Sequence, residues 1–167
     1  REHQMRKIIV MCLMVMAIAA CTSIECPVQN NVRTYYSLLK ADGTPVTLGV
    51  DTLWLWTTRG ERTDTLLNSL FGTKATSFDL PISHTQSEDT ICLALTDNIG
   101  TVYLDTIRIK KENIPHFESV DCQASYFHTI TDVSYTNDII DSIVINNRNV
   151  NYDAKTTHFK LYLKARR

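Results

Sequence analysis

With 167 residues, 44% of them hydrophobic and 21% charged, the chain has the composition of one ordinary globular domain, not of a disordered or fibrous protein. Its formal net charge of −1 offers no electrostatic footprint for nucleic acid. Five glycines are too few for a glycine-rich cofactor cradle, and no cofactor is expected.

The first twenty residues differ from all that follow. Met5-Arg6-Lys7 is a short basic start, and translation is expected to begin at Met5, because Arg1 to Gln4 sit oddly ahead of it. Ile8 to Ala20 is an uncharged run of thirteen residues. That is short for a membrane-crossing helix but suits the apolar part of a signal peptide. The run closes on Ile18-Ala19-Ala20-Cys21, which resembles the lipobox of bacterial lipoprotein precursors: aliphatic, small, small, cysteine. The resemblance implies that Cys21 receives a diacylglyceryl group, that a peptidase cuts just before it, and that the new amino terminus is acylated. A plain signal followed by an incidental cysteine is the alternative; basic start, run length and box together favour lipidation. Acyl chains bury at roughly 0.8 kcal/mol per methylene, so two or three of them anchor a protein permanently.

The expected organisation is a removed signal peptide over 1–20, a lipid anchor and short tether over 21–26, and one domain over 27–167. Loss of residues 1–20 removes Arg1, Arg6, Lys7 and Glu2, leaving 14 basic against 17 acidic residues, a net charge of −3. The four tether residues Thr22 to Glu25 reach less than roughly 20 Å, so the domain is expected to sit against the membrane. Thr22 follows the lipid cysteine where an aspartate directs inner-membrane retention in many Gram-negative bacteria, and no acidic cluster follows to direct export to the cell exterior. The periplasmic side of the outer membrane is the expected location.

From Cys26-Pro27 onward the pattern is mostly period two, rich in β-branched and aromatic residues. Strands are predicted at Val32–Leu39, at Asp51–Thr58 and over 76–82, where Pro81 confines the strand to an edge or a strand end. A turn is expected at Ala41–Pro45. The segment Asp64–Gly72 places Leu66, Leu67, Leu70 and Phe71 at helix spacing, with Asp64 as N-cap and Gly72 after the end, and predicts one short helix. Asp97–Gly100 is a hairpin signal between strands over 89–96 and 101–109. Strands over 126–135, 141–146 and 158–163 complete the set. Eight or nine short strands without a helical crossover predict an all-β fold, an antiparallel β-sandwich of immunoglobulin-like size.

The triplet Asp-Thr/Ser-Leu/Ile begins at Asp51, Asp64, Asp89, Asp105 and Asp141, too unevenly for a solenoid or propeller period. It reads as punctuation, aspartate favouring the turn and the next two residues the strand. Together with "HFESVDC" and "IDSIVINN", these triplets resemble an uncharacterised family of small lipoproteins from gut-type Gram-negative anaerobes, domain of unknown function 6452. The resemblance would cover nearly the whole mature chain. It implies a location and a single domain, and no catalytic residue.

Searching for chemistry, we find no nucleophile elbow, zinc-protease motif, phosphate loop or Cys-x-x-Cys pair, and no enzyme activity is expected. His84, His116, His128 and His158 are scattered without ligand spacing and read as surface or strand residues, so no metal is expected. Asn147, Asn149, Asn151 and Asp153 alternate like calcium ligands but lack the loop's glycine and closing glutamate, and read as a turn. Trp54 and Trp56 share one face of their strand, Leu53 and Leu55 the other. Core packing of the tryptophans is expected; the alternative is a displayed pair that stacks on a glycan or small ligand. Once Cys12 has left and Cys21 carries lipid, Cys26, Cys92 and Cys122 remain in an oxidising compartment. Cys92 lies on a strand face where a thiol can pack, so the expected disulfide is Cys26–Cys122, with Cys92 free. Two functions follow as expectations: a lipid-anchored envelope module docking a protein partner through a sheet edge or loop, or a glycan- or ligand-binding lipoprotein using Trp54 and Trp56.

Overall fold

A computed structural model describes residues 4–7, 32–59, 62–71, 74–153 and 156–165. The expected lipobox with Cys21, the expected tether and Cys26 lie outside the described residues; of residues 1–31 only a helical turn at 4–7 is described. Among the described residues no helix is long and apolar enough to cross a membrane.

Period-two sequence becomes strand wherever one face can be buried. The strands are β1 (Arg33–Lys40), β2 (Thr52–Arg59), β3 (Arg62–Phe71), β4 (Ser77–Pro81), β5 (Glu88–Thr96), β6 (Val102–His116), β7 (Ser125–Tyr135), β8 (Ile140–Ile145), β9 (Asn149–Val150) and β10 (Phe159–Leu163). They form a four-stranded sheet in the order β4-β1-β10-β8 and a six-stranded sheet in the order β3-β2-β5-β6-β7-β9. The predicted all-β sandwich is what folds, and Pro81 ends an edge strand as expected.

Two features depart from the expectation. The segment read as a helix at Asp64–Gly72 falls largely in β3, paired antiparallel with β2. Its helical leucine spacing is absorbed by a register shift: Leu55 pairs with Asn68 but Trp56 with Leu66, so β3 carries one extra residue. That irregularity leaves Leu66 exposed while Leu67 and Leu70 pack against the core. Ladder bonds and burial outweigh the weak local helix signal. The second departure is that β1 and β10 pair in parallel, Tyr36 beside Phe159 and Lys40 beside Leu163, within an otherwise antiparallel fold.

Inward residues of the two sheets meet in one core. Tyr36, fully buried, is stacked between Phe78 and Phe159 at ring separations of 4.8 and 5.0 Å. Leu53, Leu55, Leu93, Leu95, Ile107 and Ile109 face it from the six-stranded sheet. Polar joints tie the sheets together. Asp105, buried on β6, accepts the Thr136 hydroxyl at 2.6 Å and the backbone N–H groups of Asp138, Ile139 and Ile140 at 2.8 Å. Those residues carry the chain from β7 in one sheet to β8 in the other. His158, also buried, accepts the Tyr35 N–H at Nδ1 (3.0 Å) and donates from Nε2 to the Asn149 carbonyl (3.2 Å), bridging β1 to β9. Burial pushes its pKa below the usual histidine value.

The turn signals are realised. Asp97 Oδ1 accepts the N–H groups of Ile99 and Thr101, and Gly100 adopts φ 88°, which closes the β5–β6 hairpin. The Asn147–Asp153 stretch is turn chemistry of the same kind: Asn147 accepts the Asn149 N–H, and Asn151 the Asp153 N–H.

Candidate functional site

One end of the sandwich holds a cavity of about 690 Å³ between the start of β1, the 82–87 loop and the start of β7. That volume lies within the range of small-ligand sites. Its position follows from β6. Asp105, Ile107, Ile109 and Lys111 fall on the buried parity of this strand, so the alternation that builds the core also carries a lysine inward. A register shift in the β6–β7 pairing sits at Lys110/Lys111. The Lys111 side chain is fully buried and ion-pairs with Asp89 at 3.0 Å, and its Nζ also donates to the Gln86 carbonyl at 2.9 Å. Both contacts satisfy a charge that would otherwise be costly to bury.

Asp89 further accepts the Ser83 N–H at 3.1 Å, and Lys111 N–H donates to the Ser87 carbonyl. Asn113, two residues along β6, donates its amide to the carbonyls of His84 and Gln86 at 3.1 and 2.9 Å. The 82–87 loop is thereby fastened along β6 and forms a fixed rim. Because the Asn113 amide nitrogen is the donor, its Oδ1 must accept, and it does so from His128 Nδ1 at 2.8 Å. His128 is 2% exposed, and burial first, then the neighbouring Lys111 and His84, push its pKa down to about 4. The ring is therefore neutral near pH 7 with its proton on Nδ1. That leaves a lone pair on Nε2, which has no hydrogen-bond partner among the described residues. His128 lines the cavity, as do His84 and Tyr126, whose rings stack at 4.9 Å. Arg33 also lines it and is paired with Asp79.

The six-stranded sheet has a second feature, on its outer face. Leu53 and Leu55 are buried, as their shared face requires, and Trp54 and Trp56 point the other way. Trp54 is 39% exposed and Trp56 half-buried, so the expected core packing of the pair is not found. Core burial falls to the leucines because that face alone meets the second sheet. Register places Ala94 and then Leu104 beside Trp54, with Leu66 and Cys92 flanking Trp56. Leu66, Val102 and Leu104 are each more than half exposed. Cys92 is a free, half-buried thiol on this face.

The tertiary structure brings His84 and His128 together at the cavity, while His116 stacks on Phe127 at 4.2 Å and His158 serves the sheet joint. Reading the histidines as scattered missed the first pair. One signal was available: Lys111 at the parity of Ile107 and Ile109. Among the described residues no cluster of histidine, cysteine or acidic side chains could hold a metal ion.

No curated protein and no solved structure matches the chain. A family model matches residues 52–163, from β2 to the end of β10, a span that holds Asp89, Lys111, His128 and both tryptophans. Covering most of the sequence, that match shows that the chain belongs to the family of unknown function DUF6452.

Proposed function

We propose that this protein is a lipid-anchored, non-catalytic module of the bacterial cell envelope that docks a protein partner through the outer face of its six-stranded sheet. The observation that carries the reading is the set Trp54, Leu66, Val102 and Leu104, exposed on one face of β2, β3 and β6 with Ala94 and Cys92 of β5 between them. Contiguous apolar surface of this kind is uncommon on a monomer and marks interaction sites, and tryptophan is a preferred anchor. The anchor is Cys21 of the lipobox, on the periplasmic side of the outer membrane. A Cys26–Cys122 disulfide would fasten the tether to the domain, closing a loop of 97 residues and stabilising by roughly 4–5 kcal/mol in the chain-entropy view. Supporting that pairing, Cys92 is a free thiol.

A photo-reactive residue placed at Leu104 in living cells tests the reading, with mass spectrometry of the membrane extract. The expected result is a crosslink to one envelope protein, lost in Trp54→Ala, together with an acylated terminus at Cys21 and a linked Cys26–Cys122 peptide. A protein released unmodified into the soluble fraction, or no crosslink at any envelope protein, would overturn it. The second reading, a ligand stacked on the tryptophans, is favoured by the exposure of Trp54 beside Trp56 on one face.

A further inference from the structure

We infer that the cavity at the end of the sandwich is a binding site for an uncharged, hydroxyl-rich ligand of sugar size, separate from the docking face. Four observations lead there. First, His128 in its wall is fixed before any ligand arrives: Asn113, itself held by two carbonyls, accepts from its Nδ1. Such preorganisation lowers the cost of binding.

Second, His128 Nε2 is a lone pair without a partner among the described residues, on a ring 2% exposed that lines the cavity. That acceptor is open to a molecule that supplies a donor at the cavity wall. Third, the formal charges at the cavity are already matched. Asp89 is paired with Lys111 and Arg33 with Asp79, so an ionic ligand finds no unpaired counter-charge between them. Fourth, the stacked rings of His84 and Tyr126 form part of the wall, an aromatic plate beside which the Ser83, Thr85 and Ser125 hydroxyls also line the space. Hydroxyl donors, no charge and one apolar face are the chemistry of a pyranose ring.

The test is a titration of the isotope-labelled full chain with methyl β-glucoside, maltose and N-acetylglucosamine, with glucuronate as the charged counterpart, followed by NMR. Amide signals of 83–85 and 125–128 should shift with a Kd on the order of 1 mM for at least one neutral sugar. Glucuronate should bind about tenfold more weakly, and the Trp54 and Trp56 indole signals should stay in place. Tyr126→Ala, and independently His84→Ala, should weaken binding about tenfold while signals of the other sheet are unchanged. The inference is overturned if none of the three sugars shifts these amides, if glucuronate binds as well as the neutral sugars, or if the shifts appear at the tryptophans instead. Loss of the Leu104 crosslink would bear on the docking face and leave this outcome readable.

Discussion

Asp105 and Asp89 begin the same Asp-Thr-Ile triplet on adjacent strands, and their carboxylates meet different surroundings. Asp105 is surrounded by donors from the chain that crosses between the sheets, three backbone N–H groups and one hydroxyl. Asp89 faces a buried lysine and one loop N–H, beside a cavity. The first arrangement is a closed structural joint with no capacity left for a ligand. The second holds a loop in place and leaves histidine and hydroxyl groups of its neighbourhood turned to open space. One local motif thus serves cohesion on one side and a candidate site on the other, according to what the fold brings opposite it.

That contrast can be broken most directly at Asp105. Asp105→Ala strands the buried N–H groups of Ile139 and Ile140 and the part-buried one of Asp138, and should cost about 3–5 kcal/mol, read as a lowered urea midpoint at unchanged slope. A loss below about 1 kcal/mol would deny the joint its importance. The next effect is a pH dependence from the cavity side. The folded-state pKa of His128, about 4, lies below its ordinary 6.5, so the unfolded chain binds this proton first as pH falls. Its contribution is intact above about pH 6.5 and declines progressively to about pH 4, by roughly 3 kcal/mol in all. His158 shifts in the same direction. Denaturant titrations across this range should show the decline, and His128→Gln should flatten it; an unchanged slope in that variant would assign the proton uptake elsewhere. The smallest effect sharpens the comparison. Tyr126→Ala and His84→Ala remove only a stacked pair at the cavity wall and should each change stability by about 1 kcal/mol or less. A loss as large as that at Asp105 would make the wall a structural joint as well.

Much of the fold is readable along the chain because a strand buried on one face writes its alternation into the sequence. The runs at Arg33–Lys40, Glu88–Thr96 and Phe159–Leu163 alternate this way, and the Asp97–Gly100 turn closes where its side-chain chemistry says it should. The helix expected at Asp64–Gly72 shows where that legibility stops. Leucines at helical spacing also suit a strand with one extra residue, and only the presence of β2 alongside selects the second option.

The site was less readable than the fold for a related reason. Local pattern told which face of β2 carries Trp54 and Trp56, but not which face the second sheet would cover; that depends on how the layers close. Likewise Lys111 was marked as inward by its parity with Ile109, whereas its partner Asp89 and the His128–Asn113 pair lie 22 and 15 residues apart in sequence. Short-range periodicity determines strands, turns and the sidedness of each strand, since those rest on neighbouring dihedrals and hydrogen bonds. The parallel pairing of β1 with β10, the closure of Asp105 and the opening beside Asp89 rest on contacts between distant segments, and so came into being only when the two sheets met.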